Sequence, residues 1–519
     1  LRHITKSLAL SINVSETPWV SKKIASRRTS HDEGWLYFQV QCRDYKFQIL
    51  FNSDDLGRID ISDPDGADNF YSSLNFDEGY NLQIPLNLLT YGDYGSNTLD
   101  GGFNHFDSRI STGPVLLLPV TASFAIAGIG VLQARIVSAM FAIILLIGIF
   151  QLSKCLGDIK ISLVSFILLF FINLSNYTLG TVVGEGAGIG LIIWGLILWS
   201  YYEKRNSLIF GLLAALLWGI SVWAKPSMVM AVLFIMIGPA IYIYLHRNEF
   251  IKVASIILLT LTISTSWFLL FNDIPSTLIN EQFNFALIKN VVNNSPALYG
   301  SIALGIIVSV ILNLISGIRK PRLLPITWVM TNVLPLFWIL WWFLFNQGNH
   351  YRHLFPGLIF GVIPIALALV EKNHNWQNWV AKLTILALLA FGGIQNLKSV
   401  ATEVSNTLKY PTAIADPKLD QRQFSNFIST LNPNAKIMGW KGFMDWDIAF
   451  LSNRVFGNLN SMVTTTKSSQ QYLAITPTMT FYGVEQELSP IIERCAQEVV
   501  YNRNGYQLVH LKKLCQLQP

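Results

Sequence analysis

Two carboxylates stand side by side in the run Asn75-Phe76-Asp77-Glu78-Gly79-Tyr80, and a helical apolar pattern follows at once through Leu82, Pro85, Leu86 and Leu89. A second polar patch, Phe106-Asp107-Ser108-Arg109-Ile110-Ser111-Thr112-Gly113-Pro114, runs directly into Val115-Leu116-Leu117-Leu118-Pro119. Further along, ionisable residues within or beside the long apolar segments are few: Arg135, Glu185, Lys225, Asp273, Arg352 and His353. Charge is costly in hydrocarbon, so such residues are functional candidates by default. A partly desolvated carboxylate has the raised pKa that suits removal of a hydroxyl proton. Arginine offers a planar donor fork to phosphate oxygens.

Each of these residues also has a plainer reading. Arg135 and Lys225 can snorkel to the membrane interface. Asp77 and Glu78 suit the start of any helix, where the dipole favours negative charge. The loop Gln347-Gly348-Asn349-His350-Tyr351-Arg352-His353 can be a simple headgroup contact. Glu185 is harder to dismiss, because it is held between Gly184 and Gly186 and cannot reach far. What favours chemistry is that all of these groups fall on one face.

That face follows from the elements that must carry them. The 519 residues are 52% hydrophobic and only 13% charged, with 32 Phe and 15 Trp. Soluble chains carry about 25% charge, so this composition belongs to a chain in contact with lipid. The net charge is +6 without a Lys/Arg-rich tract or nucleic-acid motif, which argues against a nucleic-acid partner. Apolar segments at about 131–152, 161–179, 184–202, 208–224, 226–245, 253–271, 298–317, 323–345, 353–370 and 380–396 predict ten membrane spans. A shorter one at about 114–128, with Pro114 and Pro119, predicts an interfacial helix.

Alternate loops carry Lys154 and Lys160, Lys204 and Arg205, Arg247 and Lys252, Arg319, Lys320 and Arg322, then Lys372 and Lys382. The opposite loops hold Lys225, Lys289 and Arg352. The positive-inside rule puts the first set in the cytoplasm. Both ends of the chain are then extracytoplasmic, and the candidate residues cluster at the outer ends of their helices. An exported N-terminus requires a signal or first helix upstream of Leu1.

Three regions result: an N-terminal extracytoplasmic unit (1–72), a membrane module (73–397) with an acidic first outer loop (73–113), and a C-terminal extracytoplasmic α/β domain (398–519). In the first, Trp35–Cys42 and Tyr45–Phe51 predict a hairpin. Asp60–Asp68 reads as turn rather than calcium loop, since Ile61 and Ser72 occupy ligand positions of the EF-hand template. In the last region, a helix over Phe424–Leu431, a strand over Ala435–Trp440 and a hairpin turning at Asn504-Gly505 are expected. Cys495 and Cys515, exported on this topology, are expected to pair, with Cys42 as a rival and Cys155 reduced.

At Phe76-Asp77-Glu78-Gly79-Tyr80, Phe106–Pro114, Leu132-Gln133-Ala134-Arg135, Gly184-Glu185, Ala224-Lys225-Pro226 and Tyr351-Arg352-His353-Leu354-Phe355-Pro356 the chain resembles the GT-C glycosyltransferases. These include protein O-mannosyltransferases (glycosyltransferase family 39-like) and lipid A aminoarabinose transferases. The 70-residue N-terminal unit departs from that pattern. The resemblance implies a mainly α, polytopic GT-C bundle in a bacterial inner or plasma membrane. It implies transfer of a sugar from a polyprenyl-phosphate donor to a hydroxyl of a lipid, glycan or protein acceptor, with inversion. Asp77 matches the family's acidic loop residue, the expected base. Glu78 would orient the acceptor, and Glu185 would be a second acid or metal ligand. Lys225, Arg352 and His353, with Arg109 and Arg135, would hold the donor phosphate. No cofactor is obligatory on this reading, and a divalent metal is compatible with it. A surface-polysaccharide polymerase or ligase would share the donor and the face but would not need the Asp-Glu loop. A transporter would need polar groups near the midplane, which the sequence lacks.

Overall fold

A computed structural model of the chain describes residues 12–13, 35–42, 45–52, 74, 76–97, 103–105, 112–171, 181–270, 296–318, 325–345, 354–370, 379–380, 382–390, 417–439, 446–454, 456–458, 470–477, 479 and 485–512. It divides into two compact units, Leu1–Ser72 and Ser73–Pro519. The first holds strands β1 (Ile12–Asn13), β2 (Trp35–Cys42) and β3 (Tyr45–Asn52) in the order β1-β3-β2. The β2–β3 hairpin runs in register from Trp35 opposite Asn52 to Cys42 opposite Tyr45, as its aromatic and β-branched residues predict.

The second unit opens with α1 (Phe76–Tyr91), which has Asp77 and Glu78 in its first turn and Pro85 inside. A short ribbon follows, β4 (Gly95–Asn97) with β5 (Phe103–His105). It is held to α1 by the amide of Asn87 donating to the Gly95 carbonyl at 2.8 Å. Helix α2 (Pro114–Ala127) begins with proline, whose missing N–H costs nothing at a helix start. The bundle continues with α3 (Val131–Leu156), α4 (Ile159–Phe171), α5 (Glu185–Arg205), α6 (Leu208–Ala224), α7 (Met228–Ile235), α8 (Ile237–Leu245), α9 (Phe250–Leu270), α10 (Pro296–Ile318), α11 (Ile326–Phe345) and α12 (Phe355–Val370).

Among the described residues, three stretches are long and apolar enough to cross a membrane: Val131–Leu156, Met228–Leu245 and Arg247–Leu270. Shorter apolar helices lie at Pro114–Ala127, Ile159–Leu169, Leu208–Ala224, Ser301–Gly317, Ile326–Trp342 and Phe355–Val370. Helix α3 is built inside out relative to a soluble helix. Ile136, Met140, Ile143, Ile144 and Ile147 form an exposed apolar stripe at helical spacing, while Gln133, Arg135 and Ser138 are buried. The segment expected as one span at about 226–245 is one apolar stretch, Met228–Leu245, with a single irregular residue at Met236 that keeps right-handed helical backbone. Pro239 has no N–H for the Ile235 carbonyl, so that one bond is lost, while the Met236 N–H still bonds the Val232 carbonyl at 3.0 Å and the Ala240 N–H the Met236 carbonyl at 3.2 Å.

Helix α5 is the spine. Its residues from Glu185 to Gly190 are all buried, and Gly195 lies against the indole of Trp218 where a side chain would collide. At its far end, Glu203 accepts bonds from the backbone N–H of Ile326 at 2.6 Å and of Thr327 at 3.1 Å, and from the Thr327 hydroxyl. Its carboxylate thus caps α11 from another helix.

The C-terminal portion contains α13 (Pro417–Thr430), β6 (Lys436–Gly439), α14 (Trp446–Ser452), β7 (Phe456–Asn458), β8 (Gln471–Ile475), α15 (Glu485–Cys495), β9 (Ala496–Arg503) and β10 (Tyr506–Leu511). The sheet order is β7-β6-β8-β10-β9. Strand β6 runs parallel to both neighbours, and the other pairs are antiparallel. Phe424, Ile437, Ile448, Phe456 and Leu508 fill one core of this sheet. The β9–β10 hairpin turns at Asn504 (φ 47°) and Gly505 (φ 83°), the left-handed pair that a two-residue loop requires. Cys495 is disulfide-bonded and Cys155 is free, while Cys515 lies outside the described residues.

Removing the α11 cap by Glu203→Ala should destabilise the bundle by about 1–2 kcal/mol, as loss of a helix cap does. The thermal midpoint in detergent should fall measurably, and less so for Glu203→Gln. Equal midpoints for wild type and Glu203→Ala would contradict this role.

Candidate functional site

Three short pieces of backbone meet beside the start of α1: residues 112–113 before α2, 181–184 before α5, and 224–225 after α6. Glycine makes the meeting possible. The Gly113 N–H donates to the Ala224 carbonyl at 3.1 Å, and a Cβ on Gly113 would collide with the Trp223 carbonyl. Gly184 is left-handed (φ 81°), and a Cβ there would lie 2.6 Å from the Ala224 oxygen. Backbones can approach this closely only where no side chain intervenes.

Two buried ion pairs lock the junction. Glu78 is fully buried, and Arg135 of α3 grips it with a fork: Nε to Oε1 at 3.0 Å and a terminal nitrogen to Oε2 at 2.6 Å. The Val182 N–H adds a third bond to Glu78 Oε1 at 3.1 Å. One turn further along α1, the Asn81 amide donates to the Val182 carbonyl at 2.6 Å. Val182 is therefore held from both sides by α1. The second pair joins Lys225 Nζ to Glu185 Oε1 at 3.0 Å, and Lys225 also donates to the Val183 carbonyl at 3.0 Å. Both residues are buried. Glu185 Oε2 and the Thr112 hydroxyl are buried here without hydrogen-bond partners among the described residues.

Of the residues singled out from sequence, Asp77, Glu78, Arg135, Glu185 and Lys225 are thus located by the structure. Arg109, Arg352 and His353 lie outside the described residues. Asp77 is half-buried, one position before Glu78 and so about 100° away around α1. Arg135 and Lys225, expected as phosphate cations, each carry a carboxylate partner, and Glu78 is committed to Arg135. Among the described residues no three His, Cys, Asp or Glu side chains gather as metal ligands.

The C-terminal portion reaches the same helix. Helix α14 meets α1 at Gly79, where an added Cβ would lie 2.6 Å from Asp447 Cα, and Trp446 lies against Tyr80 with ring centroids 5.2 Å apart. Asp447 is buried and accepts from Gln421 Nε2 at 2.5 Å. Burial pushes its carboxyl up to about 6, against the opposing pull of that amide and of backbone N–H groups at the start of α14.

Sequence reasoning missed Asn81, Val182, Gln421 and Asp447. Asn81, three residues after Glu78, shares its helix face, and that spacing was a usable signal. The others act through backbone atoms or long-range contacts and leave no local pattern.

No protein-family model and no curated protein sequence matches the chain. Its fold matches solved structures across most of its length. ArnT from Cupriavidus metallidurans in the apo state superposes with a TM-score of 0.54 at 11% identity, covering 84% of this chain and 94% of ArnT. The same protein bound to undecaprenyl phosphate gives 0.52 at 13% identity, covering 86% and 95%. The Archaeoglobus fulgidus oligosaccharyltransferase in complex with zinc and sulfate gives 0.47 at 10% identity, over 85% of this chain and 70% of that one. The chain shares its fold with ArnT, in keeping with the resemblance read from the sequence.

Two measurements test the junction. Arg135→Ala removes the guanidinium from the buried Glu78 carboxylate and should cost about 3–5 kcal/mol, whereas Glu78→Gln combined with Arg135→Met should recover much of it. Comparable losses in the single and double variants would rule out the pairing. Asp447, raised on burial, favours the protonated acid in the packed state. Its contribution is therefore complete below about pH 4, near the pKa of a free aspartate, and is lost as the pH rises through about 6. Thermal midpoints between pH 4.5 and 8 should fall more steeply for wild type than for Asp447→Asn; parallel profiles would refute this.

Proposed function

We propose that this chain is an integral-membrane glycosyltransferase that moves a sugar from a polyprenyl-phosphate donor to an acceptor hydroxyl on the extracytoplasmic face. The observation that carries this reading is the unequal environment of the acidic pair within a GT-C fold. Glu78 is neutralised by Arg135 and held by Val182, while its neighbour Asp77 sits half-buried in the same helical turn. ArnT, the fold neighbour, has been crystallised with undecaprenyl phosphate, which supports a lipid phosphate as the donor's carrier here.

In the reaction, the Asp77 carboxylate takes the proton of the acceptor hydroxyl, and the hydroxyl oxygen attacks the anomeric carbon of the sugar. The bond from that carbon to the phosphate oxygen breaks, and the polyprenyl phosphate leaves with the electron pair. A single displacement inverts the anomeric centre. Arg352, His353 and Arg109 hold the leaving phosphate on this reading. Lys225 and Arg135 add positive charge on this reading, each already paired with its own carboxylate. Glu78 consequently fixes α1 rather than the acceptor. Glu185 is the second acid, and a divalent ion is not required by a monophosphate leaving group. The ten-span topology, with residues 1–72 and 398–519 outside the cytoplasm, completes the proposal.

Asp77→Asn should lower transfer from undecaprenyl-phosphate-linked sugars in detergent by at least about 100-fold, with expression and folding intact. Near-normal turnover in that variant would remove Asp77 as the base. Arg352→Ala should weaken donor use, with incomplete rescue by Arg352→Lys, because a point charge does not replace the fork.

A further inference from the structure

The C-terminal sheet is tied to the acidic helix by a continuous line of specific contacts that the transfer chemistry does not explain. It starts at the β9–β10 turn. Asp420 of α13 is buried and accepts from Arg503 Nε at 2.9 Å and from the Asn504 amide at 2.7 Å. The next residue, Gln421, uses its whole amide group. Its Oε1 accepts from the Leu74 N–H at 3.1 Å, and its Nε2 donates to the Leu74 carbonyl at 2.9 Å and to Asp447 at 2.5 Å. Leu74 is two residues before α1 begins. Gln421 therefore holds the lead-in of α1 as an added strand would, through both backbone groups of one residue.

The other end of the contact is Gly79. There the backbone of α14 lies against the backbone of α1, with Trp446 and Asp447 occupying the space of a missing side chain. Gly79 is two residues from Asp77. The acidic turn is thus bounded on one side by Leu74, held by α13, and on the other by Gly79, against α14, and the two helices are joined to each other through Gln421 and Asp447. A helical turn clamped before and after its first residues has little freedom to rotate or slide. Glycine in a helix interior is disfavoured relative to alanine, so its presence needs a reason of this kind.

We propose that Gln421, Asp447 and Gly79 form a positioning contact through which the C-terminal sheet sets the orientation of α1 and hence of Asp77. This rests on the reading of Asp77 as the base. None of the three touches substrate. They act by holding the turn that carries the carboxylate, where a displacement of about 1 Å is enough to cost about 100-fold in rate.

The test uses the full chain in lipid nanodiscs, with Gly79→Ala and Gln421→Met as variants. Amide hydrogen exchange is followed by peptide, with undecaprenyl phosphate binding and sugar transfer measured alongside. Exchange at residues 76–84 should accelerate at least about tenfold in both variants, with α5 and α6 unchanged. Transfer should fall at least about tenfold while undecaprenyl phosphate binds with unaltered affinity. Such a split between turnover and lipid binding is not expected of general destabilisation. Asp77→Asn is the control: it should abolish transfer and leave the exchange of α1 as in wild type. If Gly79→Ala unfolds the chain throughout, Gln421→Met, which keeps the side-chain length and loses the amide, decides the matter. Wild-type exchange at 76–84 in Gln421→Met overturns the proposal, as does normal transfer with accelerated exchange. Absence of transfer by the wild type would count against the glycosyltransferase reading, and the exchange result would still show whether the sheet holds α1.

Discussion

Glu78 and Arg135 are two charges in a place that water does not reach, and neither can be there without the other. A lone buried carboxylate or guanidinium is expensive, whereas the forked pair with a third bond from the Val182 N–H satisfies most of what burial removes. The requirement is geometric as well as energetic. It fixes the first turn of α1 against α3 and the entry to α5, three elements far apart in sequence. Lys225 and Glu185 repeat the arrangement one residue along, using Val183 where the first pair uses Val182. The short run from Thr181 to Gly184 is thereby gripped through successive peptide groups.

Pairing also decides how much charge is left for a ligand. Two cations and two carboxylates compensate each other, so the junction is close to neutral despite its density of ionisable groups. A lipid phosphate approaching this surface would meet donors already partly occupied, and tight binding of an anion is then not automatic. On the proposed function, in which lipid phosphate leaves after every cycle, a moderated field serves turnover better than a bare cluster of cations.

Much of this architecture was legible in the sequence because it follows from local pattern. The hairpin at Asn504-Gly505 follows from the left-handed preference of those two residues, and the membrane character from the low charge and long apolar runs. The acidic turn could be read from its two carboxylates ahead of an apolar helix. The pairing of Glu78 with Arg135 was not legible, since 57 positions separate them and nothing local joins them. Gln421 was silent for the same reason: its partners are two backbone atoms at Leu74 and a carboxylate on another helix. The local irregularity at Met236 was readable from Pro239 but was masked by unbroken hydrophobicity on both sides.

Helix α5 has a carboxylate at each end, Glu185 against Lys225 and Glu203 against the start of α11. Eighteen positions separate them, about 27 Å of helix, and on the proposed ten-span topology that length lies close to the thickness of a bilayer's hydrocarbon core. Single helices adapt to thicker or thinner membranes by tilting or sliding. A helix pinned at both ends cannot do so by itself, and its neighbours must move with it. The bundle would then meet a mismatched bilayer as one stiff block, leaving the lipid to deform around it. Acyl-chain length would act on such a protein as a mechanical variable, separable from any headgroup chemistry by reconstituting it in bilayers that differ only in thickness.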